Sequence, residues 1–332
     1  MRVAATRLGS LVQRRGFASS QRRLDNYAFI GLGQMGYQMA KNLQSKLTPS
    51  DKVSIFDINP ESMKGLQAEM KGNGANGAEV ELAASALDAS KDADTVITVL
   101  PEPQHVKGVY ESILVRDLPK KDRVYIDCST IDPSTSRQVA KAVADAGQGT
   151  FVDAPMSGGV VGATAGTLTF MLGAVSGIVP RVEPTLLHMG RKVLHCGDQG
   201  AGLSAKLANN YLLALNNIAT AEAMNLGMKW GLDPKKLANV LNVSTGKCWP
   251  SEVNNPVAGV VENAPASRDY RGGFGIALMK KDLRLAMVAA KEAGARMELA
   301  DTAYNVYDEA SKREDCEGRD FSVVYRYLGG KE

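Results

Sequence analysis

Only four cysteines occur in the 332-residue chain, Cys128, Cys196, Cys248 and Cys316, with no CxxC pair and no histidine cluster beside them. That spacing excludes a disulfide-stapled scaffold and a zinc site, so no metal is expected and the thiols are read as reduced and mostly packed. Histidine is as scarce: His105, His188 and His195 have no evident acid partner, which makes each a poor first choice as a catalyst. No uninterrupted apolar run approaches the roughly 20 residues a membrane span needs, so no membrane role is expected. Acids are missing altogether before Asp25.

What stands there instead is basic. Six arginines (Arg2, Arg7, Arg14, Arg15, Arg22 and Arg23) lie in residues 1–23, and the rest of the chain carries 33 bases against 36 acids. A slightly acidic body has no basic stripe for a phosphate backbone, so nucleic acid is not an expected partner. The leader is arginine-rich, holds serine and small apolar residues, and contains Arg15-Gly16-Phe17 followed by Ala18-Ser19. That is the composition of a mitochondrial transit peptide with a cleavage motif, which predicts residence in the mitochondrial matrix; the bland alternative is a basic tail. With 44% apolar and 23% charged residues, the remainder is an ordinary soluble globular chain whose length predicts two domains.

Past the leader, strand-like and helix-like stretches alternate. Strands are predicted at Tyr27–Ile30, Val53–Phe56, Thr95–Leu100 and Val124–Ile126, and helices at Tyr37–Lys46, Val106–Ser112 and Pro133–Ala146, with another begun by Pro60. Alternation of this kind implies βαβ units and a Rossmann-type, doubly wound parallel sheet. Further strands fit Thr150–Ala154, Leu168–Leu172 and Lys192–Cys196. Beyond Gly202 the pattern is helical: Leu203–Met228, Pro234–Asn242, Ile276–Glu292 and Leu299–Lys312, with Pro250–Ser267 an irregular loop. Leu203, Leu207, Tyr211, Leu215 and Ile218 recur at helical spacing while Leu212, Leu213 and Ala219 cover other faces, which predicts a fully buried spine. The expected organisation is residues 24–196 as a dinucleotide-binding domain and 197–332 as an all-α C-terminal domain, with the site in the cleft between them.

Gly31-Leu32-Gly33-Gln34-Met35-Gly36 is a GxGxxG placed directly after a strand and before a helix. The first glycine suits the tight turn, the second lets the backbone approach a pyrophosphate, and the third lets helix and strand pack closely. Asp57 follows at the end of the second strand, where a carboxylate accepts hydrogen bonds from a ribose diol and repels a 2′-phosphate; NAD rather than NADP is therefore expected. Asp57 is also compatible with a plain helix N-terminal acid.

At the chemical end, a lysine serves as proton acceptor if burial and nearby positive charge lower its pKa from about 10.4. Lys206 sits on the long apolar helix just after the Gly197–Gly202 turn, with Asn210 one turn on along the same face. From the residues alone it is either such a base or a lysine that snorkels to solvent. Asp153-Ala154-Pro155-Met156-Ser157-Gly158-Gly159 is likewise either a loop that wraps a small carboxylate or only a turn.

The run from Phe29 to Leu43, the DAPMSGG stretch and the spacing of Gly197, Gly200, Gly202, Lys206 and Asn210 resemble the β-hydroxyacid dehydrogenase family. So do IDCSTIDP, TAEAMNLG, GKCWP and GGFGIALMKKDL, and the likeness runs from about Phe29 to Leu328. It implies that Lys206 is the general base and acid, and that Ser157, Gly158, Gly159 and Asn210 hold the substrate. Leu100, Pro101 and Thr130 are implied to line the cofactor, with Lys281 reaching it from the second domain. The implied reaction is NAD-dependent oxidation of (S)-3-hydroxyisobutyrate to methylmalonate semialdehyde, a step of valine catabolism, by a homodimer or homotetramer. The rival readings are an NADPH-dependent glyoxylate or succinic semialdehyde reductase of the same family, which Asp57 disfavours, and a non-catalytic dinucleotide-binding protein, which the presence of Lys206 disfavours. Met156 in place of the usual Val, Lys247 in place of Arg, and the stretch Pro101–His105 depart from the family pattern and bear on substrate preference.

Overall fold

The structure, a computed structural model, describes residues 25–72, 77–114 and 118–331. The arginine-rich leader and its cleavage motif lie outside them. The first half runs β1 (Asn26–Ile30), α1 (Gln34–Lys46), β2 (Lys52–Phe56), α2 (Pro60–Gly72), β3 (Glu79–Leu82), α3 (Ala86–Ser90), β4 (Thr95–Thr98), α4 (Pro103–Ile113), β5 (Arg123–Asp127) and α5 (Pro133–Asp145). It continues through β6 (Gly149–Asp153), β7 (Met156–Ser157), α6 (Gly159–Ala165), β8 (Leu168–Gly173), α7 (Val179–Met189) and β9 (Gly190–Gly197). The second half is helical: α8 (Ala201–Lys229), α9 (Pro234–Val243), α10 (Trp249–Glu252), α11 (Ile276–Glu292), α12 (Ala300–Ser311) and α13 (Val324–Tyr327).

The sheet order is β3-β2-β1-β4-β5-β6-β8-β7, with β9 on β8. The chain winds outward from β1 to β3 and then returns to β4 on the other side of β1, so the C-terminal ends of β1 and β4 flank the point where winding reverses. Ligands bind in that crevice in open α/β sheets. Alternation explains the burial: Phe29, Ile55, Ile97 and Val152 join one core with Met39, Leu43 and Leu186, while Ala28, Ile30, Val96 and Phe151 join another with Val106, Tyr110 and Val143. A sheet covered on both faces needs such near-continuous apolar strands. Leu203, in the first turn of α8, is part of the second core, so the long helix is rooted in the sheet rather than merely tethered to it.

Three expectations need correction. The sheet is not parallel throughout: β8 runs antiparallel to β6 and β7, although α6 lies between β7 and β8. β3 and α3 were not expected, since Glu79-Val80-Glu81-Leu82 is half acidic and four residues long. α8 is not buried all round; Leu212 is 57% exposed and Leu226 and Ala219 are also open, because the helices from α9 to α13 pack on the side that carries Ala214, Asn217 and Ala221. Asn217 is satisfied there, its side-chain amide donating to Tyr307 Oη at 2.9 Å and the Phe321 carbonyl at 3.1 Å. The stretch Pro250–Ser267 is mostly irregular, with α10 ending inside it.

Candidate active site

The turn after β1 is shaped by close contact. Gly31 has φ 97°, and a Cβ there would collide with the Val99 carbonyl; a Cβ on Gly36 would collide with the Gly31 carbonyl. Gly33 differs, since a Cβ on it would meet nothing within 4 Å. Protein packing therefore demands the first and third glycines, while the second leaves open space beside the N-terminus of α1. No side chain caps that terminus, and the first turn, which includes Gln34 and Met35, carries no acid. Free amides, a positive helix end and clearance suit a pyrophosphate, so these residues fit a dinucleotide. Asp57 Oδ2 accepts from the Leu32 amide at 2.6 Å and Oδ1 from the Asn59 amide at 2.8 Å, which pins the carboxylate against the glycine turn.

The neighbouring loops are ordered by a second acid. Asp127 Oδ1 accepts from the hydroxyls of Thr98 at 2.7 Å and Ser129 at 2.6 Å, and Ser129 Oγ accepts from the Leu100 amide at 2.8 Å. Burial pushes the Asp127 carboxyl up, against the lowering effect of these bonds. Lys281 of α11 then crosses to this side, donating to the carbonyls of Thr130 at 2.8 Å and Pro101 at 3.2 Å. Arg284, one turn on, pairs with Glu102 at 2.9 Å.

Lys206 is 7% exposed, and its amine makes no hydrogen bond or ion pair among the described residues. Burial lowers its pKa; the Asp282 carboxylate opposes that shift and the Lys281 ammonium adds to it. Burial without a protein partner disfavours the charged form of this amine, as the role of a proton acceptor requires. Asn210 Nδ2 donates to Asp282 Oδ2 at 2.6 Å, while Asp282 Oδ1 and Lys281 form an ion pair at 3.2 Å that lacks hydrogen-bond geometry. Asn209 Nδ2 donates to Asn210 Oδ1 at 3.1 Å, so the orientation of the Asn210 amide is defined.

Among the residues expected from sequence, the structure joins Leu32 with Asp57, Lys281 with Pro101 and Thr130, and, through Asp282, Asn210 with Lys281. Ser157, Gly158 and Gly159 form the reversal between β7 and α6, with Gly158 at φ 132° and Gly159 at φ 60°; no hydrogen bond links them to Lys206 or Asn210 among the described residues. Asp282 was missed. Its signal was an acid on the stripe Ile276, Met279, Leu283 and Ala286 that faces the core of α11. Asp127 and the role of Asp153 were missed as well: an acid at a strand end looks like any turn residue until its partners are known.

Burial pushes the Asp153 carboxyl up to about 6, against backbone hydrogen bonds, chiefly from Gly200 and Leu203, that hold it down. No histidine, cysteine, aspartate and glutamate grouping able to hold a metal ion occurs among the described residues, and no helix there is long and apolar enough to cross a membrane.

Residues 26–197 match the family model described as the NAD binding domain of 6-phosphogluconate dehydrogenase. Residues 200–328 match the one described as the NAD-binding domain of NADP-dependent 3-hydroxyisobutyrate dehydrogenase. The chain is 44% identical over 302 residues to a probable mitochondrial 3-hydroxyisobutyrate dehydrogenase of Dictyostelium discoideum, covering 90% of this chain and 89% of that one. It is 42% identical to the Pseudomonas aeruginosa 3-hydroxyisobutyrate dehydrogenase over 93% of this chain and all of the relative. The solved Mycobacterium tuberculosis 3-hydroxyisobutyrate dehydrogenase with L-serine superposes with a TM-score of 0.83 at 38% identity, covering 92% of this chain and 99% of that one.

Proposed function

The chain belongs to the β-hydroxyacid dehydrogenase family, in its 3-hydroxyisobutyrate dehydrogenase branch, and on that premise we propose that it oxidises (S)-3-hydroxyisobutyrate to methylmalonate semialdehyde with NAD⁺. The observation that carries this reading is the buried, unpartnered amine of Lys206 beside Asn210, on the helix that follows the dinucleotide-binding half. Residues 24–196 would hold the dinucleotide and 197–332 would complete the substrate site.

When bound, the dinucleotide supplies the hydride acceptor; Gly31, Leu32, Gly33, Gln34, Met35, Gly36, Asp57, Leu100, Pro101, Thr130 and Lys281 would hold it. Asp57 supports NAD over NADP, because its carboxylate repels a 2′-phosphate. The chain's own chemistry concerns the other atoms. Ser157, Gly158 and Gly159 would take the substrate carboxylate through a hydroxyl and backbone amides. Asn210, its amide set by Asp282, would orient the alcohol toward Lys206. Neutral Lys206 then accepts the hydroxyl proton at Nζ, and in reduction the ammonium returns it. The low amine pKa caused by burial increases the neutral fraction that oxidation needs.

The transit-like leader and the relatives of rat and fruit fly that are named mitochondrial support a matrix location and a place in valine catabolism. A homodimer or homotetramer is what the family resemblance implies. Initial rates with 3-hydroxyisobutyrate, serine, 3-hydroxypropionate and glyoxylate, each with NAD(H) and NADP(H), test the reading. Highest kcat/KM is expected for 3-hydroxyisobutyrate with NAD⁺; preference for glyoxylate with NADPH would replace it with the reductase, and dinucleotide binding without turnover would replace it with the non-catalytic protein.

A further inference from the structure

We propose that Asp153 is a positioning residue for Lys206: from the end of β6 its carboxylate grips the first turn of α8 and so fixes where the amine sits. The proposal rests on the reading of Lys206 as proton acceptor. α8 has no capping side chain of its own, since its N-cap is Gly200 at φ 89°. In place of a local cap, Asp153 reaches across the fold. Oδ1 accepts from the Gly200 amide at 2.6 Å and Oδ2 from the Leu203 amide at 2.8 Å. Lys206 follows Leu203 by three residues, about one helical turn. A local cap would stabilise α8 alone, whereas a remote one ties the helix to the sheet.

The surrounding backbone is cut to admit this carboxylate. Asp153 pairs in register with Gly173 of β8, where a Cβ would collide with Oδ1. A Cβ on Gly202 would strike the Met171 carbonyl and lie 2.9 Å from Asp153 Oδ2. Two glycines therefore clear the space between β8 and α8 that the grip occupies. Loss of the grip would let the first turn move, and displacements of about 1 Å at a reacting group cost up to about a hundredfold in rate.

The charged and titratable groups around Asp153 are Asp127 on β5, Arg137 of α5 beside Gly200 and Cys196 on β9; β8 contributes none. Protonation of Asp153 turns one acceptor oxygen into a hydroxyl and loosens the grip. In reduction Lys206 must be protonated, so its own titration removes rate only on the alkaline side. An acid limb near pH 6 in reduction would then report Asp153.

The test is Asp153→Asn in the full chain, assayed in both directions with 3-hydroxyisobutyrate and NAD⁺, and with methylmalonate semialdehyde and NADH. Expected are a fall in kcat of about tenfold or more, a KM for NAD⁺ within about twofold of wild type, and loss of the acid limb. A folded variant with wild-type kcat and an unchanged acid limb overturns the proposal. Should the variant not fold, hydrogen exchange on the unaltered protein decides: corrected for intrinsic rates, protection at the Gly200 and Leu203 amides should drop between pH 8 and pH 5, and constant protection overturns the grip. If the wild type turns over none of the hydroxy acids, the functional reading fails, and the exchange measurement still tests Asp153.

Discussion

The glycine turn after β1 and the amine on α8 achieve their geometry by opposite means. The turn is local: Gly31, Gly33, Gly36 and Asp57 come from one βαβ unit, and each contact that shapes it is made within that unit or with the adjacent β4. The amine is assembled from afar, with β6 supplying Asp153, α8 supplying Lys206 and Asn210, and α11 supplying Lys281 and Asp282. Backbone shape is enough to receive phosphates. Lowering the pKa of a lysine takes burial, and burial takes several elements at once.

The largest contrast between the two regions should come from Lys206→Met. It is expected to lower kcat by about 10²-fold or more, typical for loss of a general base, while leaving NAD⁺ binding near wild type. It should also stabilise the fold at pH 7. The folded-state pKa lies below the unfolded value, so below it the native state carries a buried ammonium that the unfolded chain would solvate; removing that charge relieves the cost. The gain should shrink as pH rises toward the ordinary lysine value of about 10.4. Thermal melts from pH 7 to 10 check this, and a variant less stable than wild type at pH 7 would mean that the amine is held by favourable partners instead.

The same division sets what was legible in the sequence. The GxGxxG turn, Asp57 and the strand–helix alternation could be read because their partners are neighbours. Lys206 and Asn210 were legible as a pair on one helix face, and the family spacing gave them roles. Asp282 and the grip of Asp153 were not, since nothing in a linear sequence tells which amides a strand-end carboxylate will meet across the fold. The reversed direction of β8 escaped for the same reason: β7, α6 and β8 follow one another as the elements of a parallel crossover do, and only the pairing across the sheet shows the reversal. The fully buried α8 was an overreading of apolar count, because the packing helices cover one side of it.

At the turn, smaller effects separate packing from binding. Gly36→Ala forces a Cβ onto the Gly31 carbonyl and should cost about 1–3 kcal/mol of stability in denaturant titration. Gly33→Ala meets open space and should cost less than about 1 kcal/mol, yet weaken NAD⁺ about tenfold by calorimetry. Equal stability losses at both positions would show that the second glycine is required by the protein rather than by its ligand.

The most direct measurement is the titration of the Lys206 amine in the full chain, read from the pH dependence of its acylation by a small anhydride and quantified peptide by peptide, with a free lysine peptide as reference. Its midpoint, rather than its absolute rate, should fall below the roughly 10.4 of an ordinary lysine. A midpoint equal to that of the free lysine peptide would contradict the sheltered amine on which the chemistry depends.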